Sequence, residues 1–361
     1  FETAKSKTKE LVTQSVISRC ISDVPVGTFL SGGVDSSIVS LCLANYKETP
    51  IDTFSMGFEK KSFDETEKSR LVAKLIGSHH HEFIVKPEDI KEDIHKVLLN
   101  YDEPFADSSA LPTYLLSKLT SKHVKVALTG DGGDEVFGGY NKYYMGKLNA
   151  KYTNFVPKTL HNKISDFVYK LTDSKTDQRG KRYKLKRFLD SLNYDGEFYN
   201  NIISLGFQND ELSSLFKSNL KLNVLNQLVS KNSTTLNDFR SVDKQISLEG
   251  DLLVKVDRAS MLNSIECRSP FLNKKLWQFT NKLPDNYLIN RWNKKYILKE
   301  AFKNDFPNDF LNKSKKGFGV PVGDWLRGFL KKELLSYTEE KILIDQGLFN
   351  VNYIQELVYN H

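Results

Sequence analysis

Over the first 140 residues the apolar positions switch repeatedly between helical and strand spacing. Residues 10–22 repeat at helical spacing, and 24–30 form a short apolar run with Pro25 near its start. A small-residue loop, SGGVDSS at 31–37, separates that strand from an apolar helix predicted over 38–46. Further strands are predicted over 51–58 and 81–85, and further helices over 64–76, 87–99 and 111–121. Gly77 is the stop signal for the 64–76 helix. Pro112 is tolerated in a first turn, where its missing N–H has no partner to lose. A fourth strand at 124–128 runs into a second glycine-rich loop, TGDGGDEVFGGY at 129–140. Continuous apolar strands alternating with helices predict an α/β fold with a doubly wound parallel sheet. Beyond about residue 150 the pattern becomes mostly helical. One domain is expected over 1–361, with an α/β core over 1–150 and a large helical C-terminal part over 151–361. The polar stretch at 217–235 is the expected flexible connection.

Composition narrows the class. The 361 residues are 39% hydrophobic and 27% charged, which suits a folded globular chain rather than a disordered one. No apolar run approaches the roughly 18 residues that span a bilayer, and the first ten residues lack a secretory apolar core. Three cysteines, Cys20, Cys42 and Cys267, are too few and too scattered for a disulfide framework or a zinc site. A reduced, cytoplasmic setting without membrane contact is expected. The net charge is +7, and residues 151–240 hold 15 basic against 9 acidic side chains. The run RGKRYKLKR at 179–187 could meet nucleic-acid phosphates, but it reads more simply as a solvated helix face. No nucleic-acid partner is expected.

The first loop carries chemistry. A strand, SGGVDSS and a helix bring backbone N–H groups and hydroxyls to a helix N-terminus, where the dipole favours an anion. Gly32 and Gly33 let the backbone approach a ligand closely. The loop has neither the Walker A lysine nor the G-x-G-x-x-G of dinucleotide sites. If the first and fourth strands are neighbours, Asp35 and Asp134 flank one polyphosphate where strand order reverses. Two carboxylates beside phosphate oxygens suit Mg²⁺. The metal would neutralise charge on a departing pyrophosphate. His79, His80 and His81 enter a strand and so alternate between its faces, which does not make a ligand set. Trp277, Trp292 and Trp325 read as core or interface residues.

SGGVDSS resembles the pyrophosphate loop of enzymes that split ATP into AMP and pyrophosphate to activate a carboxylate or carbonyl. TGDGGDEVFGGY at 129–140 narrows the resemblance, together with YDEPFADSSALPTYLLS at 101–117 and DLLVKVDRASMLNSIECRSPFLN at 251–273. KKYILKE at 294–300 and KKGFGVPVGDWLR at 315–327 complete the set. In this order they resemble the synthetase domain of the glutamine-dependent asparagine synthetase family, from about residue 10 to 327. The resemblance implies an adenine nucleotide alpha-hydrolase-like sheet domain using ATP and Mg²⁺, with aspartate and ammonia as the other small-molecule substrates. It places Leu30 and Met56, at the ends of the first two strands, against adenine. Ser31, Gly32, Gly33, Asp35, Ser36 and Ser37 would hold the pyrophosphate portion, and Gly130 would approach the nucleotide. Asp35 and Asp134 are the implied metal ligands. Lys295 matches a lysine at the α-phosphate, and Asp131 a carboxylate that handles the amino acid and ammonia. Asp257 and Arg258 would face the site, while Glu266 and Arg268 read as a structural ion pair.

Two positions depart from the family pattern. Asp131 stands where glutamate is usual, which shortens the reach by one methylene and leaves the accepting carboxylate open. Asn273 stands where PFLD would place aspartate, with a modest structural effect expected. Amidation of another carboxylate, such as a sugar uronate in surface-polysaccharide synthesis, is the near alternative. A tRNA-modifying ATP pyrophosphatase is the more distant one. The family's glutaminase domain begins with a catalytic cysteine, and this sequence begins with Phe1. The chain is therefore expected to be the C-terminal portion of a longer enzyme whose glutaminase domain supplies ammonia, with a natural ammonia-using synthetase as the alternative. A homodimer is compatible with the resemblance.

Overall fold

Parallel pairing joins β1 (Val26–Phe29), β2 (Asp52–Phe58), β3 (His79–Val85), β4 (Val126–Leu128) and β5 (Glu266–Arg268) into one sheet, ordered β3-β2-β1-β4-β5. The computed structural model describes residues 1–60, 63–172, 189, 192, 194, 209–218, 235–312 and 320–361. The basic run at 179–187, most of 217–235 and residues 315–319 of the last family-like segment lie outside the described residues.

The chain leaves β1 towards β2 and β3, then returns to place β4 on the other side of β1. Strand order therefore reverses between β1 and β4, whose register pairs Val26 with Val126 and Thr28 with Leu128. This is where open α/β sheets bind ligands, beyond the carboxyl ends of the strands.

Helices cover the sheet, starting with α1 (Glu2–Ser18), α2 (Val34–Tyr46), α3 (Thr66–Ile76), α4 (Pro87–Leu98) and α5 (Ala110–Thr120). Strand alternation decides which helix meets which face. On β2, Phe54, Met56 and Phe58 enter a core with Ile90 and Val97 of α4 and Tyr114 and Leu115 of α5. Gly57 faces α3 instead, where an added Cβ would lie 2.6 Å from Thr66 Cγ2. Later in the chain come α6 (Gly133–Phe137), α7 (Asn141–Phe155), α8 (Lys158–Thr172), α9 (Asn209–Leu215) and α10 (Leu236–Asp243). A π-helical stretch, Lys244–Leu253, leads into α11 (Val254–Met261), which packs on α5 and β5. The remaining helices are α12 (Lys274–Thr280), α13 (Asp285–Leu288), α14 (Tyr296–Phe302), α15 (Val322–Arg327), α16 (Lys331–Tyr337), α17 (Glu340–Gln346) and α18 (Val351–Asn360). Two short strands, β6 (Ile289–Asn290) and β7 (Asn293–Lys294), form a hairpin just before α14. No helix among the described residues is long and apolar enough to cross a membrane.

The chain divides into two compact units. One comprises Phe1–Gly139, Gln245–Glu339 and His361, and contains the whole sheet. The other comprises Tyr140–Lys244 and Glu340–Asn360 and is mostly helical where described, with an antiparallel bridge between Phe216 and Phe349. Within it Gly146 packs against Phe239, and the buried carboxylate of Asp243 takes an ion pair from Lys142 at 2.5 Å.

Several boundaries differ from those predicted. α1 begins at Glu2 and ends at Ser18 rather than covering 10–22. Its buried positions include Thr8 and Ser15, whose hydroxyls bond to Ala4 O and Pro270 O, so part of its inner face is polar. α2 begins at Val34, inside the loop sequence, which puts Asp35 in its first turn. The fifth strand, three residues from the region read as helical, was not foreseen. Trp292 is 75% exposed, so it is not a core residue, whereas Trp325 is buried. Asn273 caps α12, its Oδ1 accepting from Lys275 N at 2.9 Å. Asparagine and aspartate both cap well, so the asparagine keeps the cap that an aspartate would make.

Candidate functional site

β1 ends at Phe29, and Leu30 N donates to Phe54 O at 2.7 Å, holding the following loop over the sheet edge. Gly32 then adopts φ +71°, and an added Cβ would sit 2.5 Å from Lys68 Cβ on α3, so only glycine fits. Ser36 folds back to organise the loop: Ser31 N donates to its Oγ at 3.2 Å, and the two hydroxyls lie 3.0 Å apart. Ser37 N bonds Gly33 O at 3.0 Å, while the Ser37 hydroxyl is buried with no hydrogen-bond partner. The first-turn N–H groups of α2 and its dipole thus meet the tip of β1, a favourable place for an anion.

Met56 lies inside β2 rather than at its end, paired with Phe83 of β3. On the β1 side, however, strand pairing runs only to Phe54, so Met56 lies two residues beyond it.

Three charges converge at the reversal point. Lys295 Nζ lies 2.5 Å from Asp35 Oδ2 and 2.7 Å from Asp134 Oδ1, with the Lys295 and Asp35 side chains each 7% exposed. Burial disfavours the ammonium, but the attraction of Asp134 and Asp35 outweighs it and holds the Lys295 pKa above its ordinary value. The other Asp35 oxygen, Oδ1, is buried and makes no hydrogen bond. Lys295 itself has a left-handed backbone, φ 54° and ψ 35°, between β7 and α14. Such a conformation costs a lysine about 1–3 kcal/mol and is typical of residues held in place for function.

The second glycine loop is shaped around these charges. An added Cβ at Gly139 would lie 1.8 Å from Asp134 Oδ1 and 2.1 Å from Lys295 Cε. One at Gly133 would lie 2.5 Å from Asp35 Oδ1. Gly130 packs against the chain itself, where a Cβ would meet Ser36 N at 2.8 Å and Asp35 Cβ at 2.9 Å. Its lack of a side chain is therefore required by α2 before any nucleotide is considered.

Asp131 N reaches Thr129 Oγ1 at 3.5 Å. Burial, with the negative charges of Asp131 and Asp257 nearby, pushes the Cys267 thiol on β5 up to about 12. Arg258 pairs with Asp102 near the surface rather than with Asp35 or Asp134. Glu266 and Arg268 do form an ion pair, at 2.7 Å, and Arg268 also donates to Arg19 O and Ile21 O. Arg268 thereby ties β5 to the end of α1.

The asparagine synthase family model matches residues 7–361. This chain belongs to the asparagine synthase family. It is 31% identical over 356 residues to the glutamine-hydrolyzing asparagine synthetase 1 of Bacillus subtilis, covering 98% of this chain and 55% of that protein. A putative glutamine-hydrolyzing asparagine synthetase of Mycobacterium bovis is 32% identical, covering 88% of this chain and 48% of its own length. A second putative one from Methanocaldococcus jannaschii is 38% identical over 260 residues, covering 70% and 48%. The chain thus spans about half the length of these curated relatives.

Within the family-like segments, sequence reasoning passed over two lysines. Lys255 of α11 donates to Asp107 at 2.8 Å, with only 10% of the lysine side chain exposed. Burial opposes the Asp107 charge, but Lys255 and the Ser109 hydrogen bonds hold its carboxyl below the usual range. Lys299, one turn beyond Lys295 on α14, donates to Asn293 Oδ1 at 2.8 Å. Burial and the positive charges of Lys295 and Lys294 bring its pKa down to about 8. Both lysines sit in quoted segments, but their partners become visible only in three dimensions.

Proposed function

We propose that this chain is an ATP-dependent amide-forming synthetase that converts aspartate to asparagine. The observation that carries this reading is the buried Lys295, held by Asp35 and Asp134 where the sheet reverses its order. The β-carboxylate of aspartate attacks the α-phosphorus of ATP, and the bond to the β-phosphate oxygen breaks. The products of that step are β-aspartyl-AMP and pyrophosphate. Ammonia then attacks the acyl carbon, AMP leaves, and the nitrogen loses a proton. Glutamine-hydrolyzing relatives point to glutamine as the source of that ammonia.

Charge and position support the phosphate and metal roles, and the family resemblance supplies the adenine and acceptor roles. The N–H groups and hydroxyls of Ser31 to Ser37 bind the pyrophosphate portion, and Leu30 and Met56 contact adenine. Lys295 stabilises negative charge on the phosphates as the acyl-adenylate forms. It is already charged and fixed, so little reorganisation accompanies the step. Asp35 and Asp134 fit Mg²⁺: both offer hard oxygen donors, and Asp35 Oδ1 is a buried acceptor without a hydrogen bond. When bound there, the metal would supply neutralisation of charge on the departing pyrophosphate. Asp131 is the candidate for orienting the amino acid and ammonia, and its shorter reach is the reason to test other acceptors.

Pyrophosphate release with ATP, Mg²⁺ and ammonium, compared across L-aspartate and a panel of carboxylates including uronates, tests this reading. Release with aspartate and formation of asparagine is expected. Release with a different acceptor alone would replace the substrate while keeping the activation chemistry. Silence with every acceptor would refute the ligase reading for this chain.

A further inference from the structure

Lys295 is left-handed, at φ 54° and ψ 35°, and a lysine keeps that conformation only where its surroundings over-determine it. The chain before it is fixed by the β6–β7 hairpin, whose register pairs Ile289 with Lys294 and Asn290 with Asn293. That hairpin packs on the second glycine loop, where a Cβ added to Gly138 would lie 3.2 Å from Ile289 Cγ1. The chain after it enters α14, and Lys299 N donates to Lys295 O at 3.0 Å as the first turn closes. One side-chain bond spans the left-handed residue itself. Lys299 Nζ donates to Asn293 Oδ1 at 2.8 Å and so joins the helix to the hairpin across Lys295.

An ammonium is an unfavourable group to keep at this place. Burial and the positive charges of Lys295 and Lys294 bring the Lys299 pKa down to about 8, with Asp35 a smaller opposing influence. Among the described residues no carboxylate pairs with it, so its side-chain bond goes to the corner and not to an acid. A charged donor makes a hydrogen bond roughly twice as strong as a neutral one, which suits a bond that must hold a strained backbone. We propose that Lys299 is a positioning residue, its bond to Asn293 holding Lys295 left-handed and the Lys295 ammonium between Asp35 and Asp134. The link from that geometry to phosphate chemistry rests on the ligase reading.

Acetic anhydride labelling of the whole chain at neutral pH, read at Lys295 by peptide mass spectrometry, tests the clamp without reference to catalysis. Lys295 should label slowly in the wild type, since its side chain is 7% exposed. Lys299→Met and Asn293→Ala, each checked for fold by circular dichroism, should speed that labelling by at least about tenfold, the worth of one charged hydrogen bond. Lys299→Arg should keep the wild-type rate. An effect of charge alone predicts the reverse for Lys299→Met, because losing a neighbouring positive charge holds the Lys295 proton more firmly. Unchanged or slower labelling in either folded variant would overturn the clamp. In the pyrophosphate assay both variants should lower kcat by at least about tenfold with KM for ATP near wild type, and the double variant should be no worse than either. A raised KM with unchanged kcat would make Lys299 a direct ATP contact and overturn the positioning role. Silence of the wild type in that assay would sink the ligase reading alone, because labelling still decides the clamp.

Discussion

Lys295 and Arg258 both lie in family-like segments, and both are held by aspartate, yet they occupy different physical worlds. The Lys295 side chain is 7% exposed and shared between two carboxylates, whereas Arg258 is 43% exposed beside an Asp102 that is 79% exposed. A buried cation between two acids is too costly to persist unless the geometry satisfies it, and breaking such a pair strands a charge. A surface pair competes with water and salt and contributes little. Motif membership marks both residues equally. Only burial separates the group proposed to act on a phosphate from the group paired near the surface.

The comparison can be broken most directly at Asp35. Asp35→Asn keeps the shape but removes one of the two charges on Lys295 and a hard metal donor. Pyrophosphate release should fall by about 100-fold or more, with the circular dichroism spectrum retained. Wild-type release in that variant would move the chemistry away from β1.

Lys255 sharpens the contrast, because its pair with Asp107 is buried but outside the charge cluster. Lys255→Met should destabilise the chain by about 3 kcal/mol in urea unfolding, since it strands Asp107. The sign of the pH effect follows from the depressed Asp107 carboxyl. Its stabilisation is full above the unfolded value near about 3.9 and is lost as pH falls through the folded value. Lys255→Met should therefore flatten the acid limb of the stability profile.

Lys299 gives the same sign from a group of the opposite charge. Its folded pKa of about 8 lies below the ordinary value. From about pH 8 to about 10.4 the unfolded chain binds more protons, so this group makes stability rise with pH. Lys299→Met should remove that rise, which denaturant titrations at pH 8, 9 and 10 would detect. The smallest effect belongs to the surface pair: Arg258→Ala should change stability by less than about 1 kcal/mol, and less still in high salt.

Much of this fold was legible in the sequence where apolar pattern and burial coincide. β2 is a buried strand, and α3 ends at Gly77 in the left-handed conformation its stop signal requires. The alternation of strands and helices gave a parallel sheet, but the neighbouring of β1 and β4 was only a condition until the strand order was seen. The misses have physical causes. α1 extends to Glu2 because polar Thr8 and Ser15 serve as buried positions, which no apolar count can register. β5 is a three-residue strand, Glu266–Arg268, with charged ends, and it exists because β4 offers it an edge. Within the site, the glycine loops and their two aspartates could be read from residue types and spacing. Lys295 was reached through resemblance alone, since no local rule brings residue 295 to residue 35. The Asp107–Lys255 pair joins residues 148 positions apart, and no pattern in either segment announces it.

The most direct test is pyrophosphate release by Lys295→Met, assayed with ATP, Mg²⁺, ammonium and aspartate, with the fold checked by hydrogen exchange. A loss of at least about 100-fold in a folded protein, beside near-normal release by Arg258→Ala, is the expected result. Near-normal release by folded Lys295→Met would contradict the assignment of phosphate chemistry to the charge cluster at the tips of β1 and β4.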